Sequence, residues 1–90
     1  MNKMQKLENV FIDAWRNGAD YIGILIMMPG FEKPELIINH YSNFKSKLAY
    51  YKKAYNENLE LKANNEIKII DADWEFGIEG FKNGLIGGKF

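Results

Sequence analysis

The stretch YIGILIMM, Tyr21 to Met28, runs for eight residues without a charge. In an extended chain Ile22, Ile24, Ile26 and Met28 fall on one face, and Tyr21, Leu25 and Met27 on the other. A strand that is apolar on both faces belongs inside a sheet, or has its second face covered by a partner. Gly23 within it marks either a bulge or the close approach of a helix. Pro29-Gly30 ends the run with turn chemistry, and ELIINHY then reads as a second strand, antiparallel to the first in a hairpin.

Helical periodicity brackets this hairpin. Over Lys3–Asn17, Met4, Leu7, Phe11, Ala14 and Trp15 recur at three-and-four spacing, with Lys6, Asn9, Asp13 and Arg16 opposite. Gly18 supplies a left-handed stop, and Trp15 reads as a core anchor in the last turn. A second helix is expected over about Asn43–Asn56, capped by Ser42 or Asn43, with Phe44, Leu48, Tyr51 and Tyr55 as its buried stripe. Downstream, residues 59–76 alternate as strand material. Asn64-Asn65 can turn between Leu59–Ala63 and Glu66–Phe76, although NLELK can equally extend the helix. Ile67 and Ile69 are out of phase with Ala72, Trp74 and Phe76, which calls for a β-bulge near Ile69-Ile70 or a strand leaving the sheet there. The expected class is α+β: two helices packed on a three- or four-stranded, mainly antiparallel sheet, in the order α-β-β-α-β with an extra strand as an option.

Ninety residues suffice for one domain, 1–90, and the 47% hydrophobic content supplies its core. A glycine-rich tail from about residue 80 to 90 is expected to be mobile or held by a partner. With no cysteine, disulfides, thiolate catalysis and cysteine-based zinc sites are excluded. No apolar run reaches the roughly 20 residues of a membrane span, and MNKMQKLENV lacks the pattern of a secretory leader. A cytoplasmic protein without membrane contact is the expectation. Lys+Arg and Asp+Glu balance at 12 each, which disfavours a globally basic nucleic-acid binder. The balance conceals two local clusters: Lys45, Lys47, Lys52 and Lys53 in one, and Asp71, Asp73, Glu75 and Glu79 in the other.

Neither cluster matches a catalytic or metal motif. A calcium loop starting at Asp71 needs glycine and glutamate where Phe76 and Lys82 stand. A phosphate loop ending at Gly88-Lys89 needs glycine at Asn83 and a hydroxyl residue at Phe90. His40 is the only histidine, and no nucleophile elbow accompanies it. Alternate acids on a strand are held about 6.5–7 Å apart, and a glycosidase also needs a sugar-sized cleft. No catalytic residue, metal or cofactor is assigned. Two binding surfaces are. The first is the acidic and aromatic run Asp71, Asp73, Trp74, Glu75 and Glu79, whose carboxylate spacing is comparable to that of successive phosphates along a nucleic-acid strand and suits a positively charged partner. Its plain alternative is an edge strand whose acids face water and block aggregation. The second is the lysine and tyrosine face of helix two, Lys45, Tyr50, Lys52 and Lys53, offered to a nucleic-acid backbone and its bases.

NGADYIGILIMMPGFEKPELIIN, KLAYYKKAYNENLELK and IKII resemble small accessory proteins of phages and prophages of AT-rich bacteria, over about residues 7–70. Abundant lysine, isoleucine and asparagine with the single arginine Arg16 fits that codon bias. The resemblance implies a class only, which includes anti-CRISPR proteins and other inhibitors that bind a host nuclease complex without catalysis. The leading expectation is such a non-enzymatic inhibitor of a host protein or ribonucleoprotein complex, using the acidic surface. The alternatives are a small nucleic-acid binder using the lysine face, and a self-associating structural phage protein that buries the second apolar face of the first strand.

Overall fold

The computed structural model describes residues 1–81 and 90. In chain order it runs α1 (Lys3–Asn17), β1 (Tyr21–Met27), β2 (Glu35–His40), a 3-10 turn (Tyr41–Asn43), α2 (Phe44–Ala54), β3 (Glu60–Leu61), β4 (Asn64–Glu75) and a second 3-10 turn (Ile78–Phe81). The strands form one antiparallel sheet in the order β2-β1-β4-β3. Both helices pack on the same face, so the α+β expectation holds, with β3 as the extra strand. Most of the expected glycine-rich tail, residues 82–89, lies outside the described residues.

Local chemistry sets both ends of α1. Asn2 and Gln5 exchange side-chain and backbone hydrogen bonds of 2.8 Å, a reciprocal capping box. Gly18, at φ 65°, closes the helix; its amide donates to Trp15, and that of Ala19 to Ala14. Leu7, Val10, Phe11 and Ala14 form the buried face. Trp15 departs from expectation: it is 47% exposed, riding at the rim against Phe11 and Phe44 at ring distances of 6.5 and 6.3 Å. One helical position, about 100°, separates it from Ala14, enough to carry it off the sheet-facing stripe in the final turn.

Residues Ile22, Ile24 and Ile26 of β1 point into the core, and β1 is an inner strand as its two apolar faces require. Gly23 belongs to the face away from α1 and α2, and its pairing with both neighbouring strands is regular. Pro29 and Gly30 (φ 83°) turn the chain between β1 and β2, with the Phe31 amide donating to Met28 at 3.3 Å. The bulge sits where the phase of the sequence breaks. Leu25 pairs with Asp71 but Ile26 with Ile69, which leaves Ile70 as the extra residue. Ile67 and Ile69 thereby share the helix-facing side with Ala72 and Trp74.

The β3–β4 turn is made by Lys62-Ala63 rather than Asn64-Asn65, since Leu61 pairs directly with Asn64. Asn64 instead begins β4, and its side chain accepts the Glu66 amide at 3.1 Å. Helix α2 begins at Phe44 after the 3-10 turn. Asn43 makes no side-chain cap, while His40 Nδ1 accepts the Ser42 amide at 3.5 Å. Phe44, Tyr51 and Tyr55 are buried and Leu48 half-buried, as the stripe implies.

Burial pushes the Tyr51 and Tyr55 hydroxyls above the ordinary value of 10.0, with a hydrogen bond from Asn39 partly offsetting this at Tyr51. The folded chain therefore holds these protons more tightly than the unfolded chain. The resulting stability is complete below about pH 10 and is lost as pH rises through the raised values. Urea unfolding at about pH 8 and about pH 11 should show a smaller loss in Tyr51→Phe than in the wild type. An equal loss would place the alkaline weakness elsewhere.

Candidate functional site

The acidic run occupies the second half of β4. Asp71, Asp73 and Glu75 pair with Leu25, Gly23 and Tyr21, which places all three on the face away from the helices. Each acid thus lies across from an uncharged residue of β1. The carboxylates are half-buried rather than fully in water. Asp71 Oδ1 accepts the amides of Ala72 (2.8 Å) and Phe90 (3.1 Å), and Asp73 Oδ1 accepts the Trp74 amide at 2.8 Å.

These bonds give the acids a structural task as well. The Ala72 and Trp74 amides share one side of the strand. The short β3 pairs with β4 no further along than Lys68. Among the described residues, β4 therefore has strand neighbours on both sides in its first half and only β1 beside its second, where the Asp71 and Asp73 carboxylates take the amides on the side away from β1.

Trp74 does not join the acids. It faces the helix side opposite Ile22, is partly buried against the core, and meets Phe76 edge-on at 5.5 Å. Phe76 is 56% exposed just beyond the strand, and Glu79 is exposed in the 3-10 turn. Gly80 comes so close to Glu75 that a side chain there would collide with its carboxyl group. The assigned surface therefore divides into an acidic row with Glu79 beyond its end, while Trp74 is withdrawn to the opposite face.

The lysine face is not assembled into one patch. Lys52 Nζ lies 2.7 Å from Glu8 of α1. At 3.6 residues per turn, Tyr50 lies on the flank of α2 opposite Lys45 and Lys52, and Lys47 Nζ sits 5.9 Å from the Tyr50 ring centroid. Lys53 is exposed on the outer side. The His40 ring meets those of Tyr21 and Tyr41 at tilted angles, with centroids 5.4 and 4.2 Å away, and its Nδ1 lies 2.9 Å from Ser42 Oγ. It is placed as a cap and ring partner.

Among the described residues no group of three His, Asp or Glu side chains is arranged to hold a metal ion. No helix among them is long and apolar enough to cross a membrane. A cleft of about 360 Å³ between α2 and the sheet end is walled by core side chains, including Ile26, Ile37, Tyr51, Tyr55 and Ile67, and does not involve the acids.

Sequence reasoning missed two polar residues. Asn39, 3% exposed on the helix side, donates to the Ile22 carbonyl at 3.4 Å and bonds Tyr51. Its one sequence signal is phase, since it falls on the same strand face as Ile37. Asn56 organises the bend after α2: its Oδ1 accepts the amides of Asn58 (2.9 Å) and Glu60 (3.0 Å). An asparagine ahead of Asn58 in YNEN is a turn signal of this kind. No protein-family model, no curated protein and no solved structure matches this chain.

Proposed function

We propose that this is a non-enzymatic binding protein that docks the acidic row of β4 on the basic, nucleic-acid-binding surface of another protein. In that role it would act as a phage-encoded inhibitor of a host defence complex, of the anti-CRISPR kind. The observation that carries the reading is the register: Asp71, Asp73 and Glu75 share one face at alternate positions, opposite uncharged neighbours. A twisted strand holds such charges in a fixed line, so they can meet a row of lysines or arginines without the entropy cost of ordering a loop. The exposed Phe76 at the end of the row supplies an apolar contact that Trp74 does not. The likeness to phage accessory proteins supports the choice of a defence complex as the target.

The test is a panel of purified host nuclease complexes, assayed for capture and for cleavage in the presence of the protein. The wild type should bind at least one of them. Changing Asp71, Asp73 and Glu75 together to lysine should weaken that complex by at least about a hundredfold, because like charges then meet across the interface. Binding should also fall as salt rises from about 0.05 to about 0.5 M. Undiminished inhibition by the triple variant would remove this surface. Low-salt binding to DNA or RNA that vanishes in Lys45/Lys52/Lys53→Glu would replace it with the lysine face.

A further inference from the structure

At the opposite end of α1 from its capping box, Trp15 and Tyr41, 47% and 55% exposed, both line a hollow of about 340 Å³. Ala14, Gly18, Ala19 and Asp20 complete the lining. The segments that build it are far apart in sequence. The Tyr41 amide donates to the Asp20 carbonyl at 2.8 Å, which ties the end of β2 to the entry of β1 and fixes Tyr41 beside the helix terminus. Trp15 is held from behind by Phe11 and Phe44, and Tyr41 by the His40 ring.

Three features of this hollow favour a positive charge, each by a different mechanism. Two aromatic rings offer electron-rich faces. Asp20 offers a carboxylate, and among the described residues no lysine or arginine lies within ion-pairing distance of it. The carbonyl end of α1 adds the negative pole of the helix dipole, partly offset by Arg16 in its last turn. Planar rings beside a carboxylate suit a guanidinium better than an ammonium, because guanidinium stacks on the ring and presents paired donors to the acid.

We infer that the Trp15–Asp20–Tyr41 hollow is a receptor for an arginine side chain of a partner protein. The inference adds a second contact to the proposed function but does not rest on it, since no residue of the acidic row lines the hollow. The glycine at position 18 leaves open space in the lining: it has no atom within 4 Å of where a side chain would begin, and its φ of 65° disfavours any replacement.

The experiment titrates the intact protein with acetyl-Gly-Arg-Gly-amide, and separately with its uncharged citrulline counterpart, while following the Trp15 and Trp74 indole N–H signals by NMR. The arginine peptide should move the Trp15 signal in a saturable manner and leave Trp74 unmoved, and the citrulline peptide should bind several-fold more weakly. Asp20→Asn, which keeps shape and removes charge, should reproduce that loss. Tyr41→Leu should weaken the arginine peptide about two- to fivefold, the share of one exposed ring. The Asp71/Asp73/Glu75→Lys variant should bind the peptide through this hollow as before, which separates failure here from failure of the acidic row. Equal shifts from arginine and citrulline, or no shift of Trp15 up to peptide saturation, would overturn the inference.

Discussion

Phe11→Ala should destabilise the fold by about 3–5 kcal/mol, the usual cost of removing a buried ring and leaving a partly collapsed cavity. Phe11 is fully buried, and its ring meets Phe44 edge-on at 5.8 Å, Tyr51 at 6.3 Å and Trp15 at 6.5 Å. It therefore joins the two helices as well as filling space over the sheet. A domain of this size commonly has only about 5–15 kcal/mol of total stability, so the variant should melt roughly 15–30 °C lower. Trp15→Ala is the informative companion. Its larger ring is half in solvent, and its removal should cost no more than about 1.5 kcal/mol. Urea unfolding with an unchanged denaturant slope measures both. Comparable losses would mean that Trp15 is the core anchor its spacing suggests, and that the rim placement is wrong.

Leu59 should invert an ordinary rule. It is fully buried yet sits at φ 59°, a left-handed conformation that costs an L-residue about 1–2 kcal/mol. The chain accepts this because Asn56 clamps the bend. Its side chain takes the Asn58 and Glu60 amides, its amide donates to the Glu60 carbonyl at 2.9 Å, and the Leu59 amide donates back to the Asn56 carbonyl at 2.9 Å. Leu59 then accepts the Ile69 amide at 2.9 Å, which joins the bend to β4. Leu59→Ala keeps the strain and loses the packing, at about 2–5 kcal/mol. Leu59→Gly loses the same packing but releases the strain, at the expense of a floppier unfolded chain. The glycine variant should therefore be the more stable of the two by about 0.5–1 kcal/mol, whereas glycine at an ordinary strand position is the less stable by a similar amount. Burial exceeds strain at this position, which is why leucine is tolerated. A less stable glycine variant would show that the bend is not held left-handed in solution.

Several features were legible because they depend on neighbours in the chain. The inner position of β1 follows from apolar residues on both its faces, and the Ile70 bulge from the phase break between Ile69 and Ala72. The alignment of Asp71, Asp73 and Glu75 follows from the two-residue period of a strand. What escaped depended on partners elsewhere. Lys62-Ala63 carries no turn signature, and it turns because Leu61 and Asn64 are paired by the ladder on either side. Trp15 fits the helical stripe by spacing, but it lies about 100° round the helix from Ala14, so the ring is left at the rim. Lys45, Lys52 and Tyr50 are close in sequence yet divided between two flanks of α2, with Lys52 drawn to Glu8.

The sequence by itself determined which segments would be helix or strand, save NLELK, which it left open between the two, which face of most would be apolar, and that three carboxylates would point the same way, because these are consequences of backbone periodicity. Tertiary structure alone decided that the Asp71 and Asp73 carboxylates take the amides of Ala72 and Trp74, and that Trp15, Asp20 and Tyr41 line one hollow. The physical reason is range. Periodicity acts over a few residues, whereas a surface is made by whichever distant segments the burial of a shared core brings together.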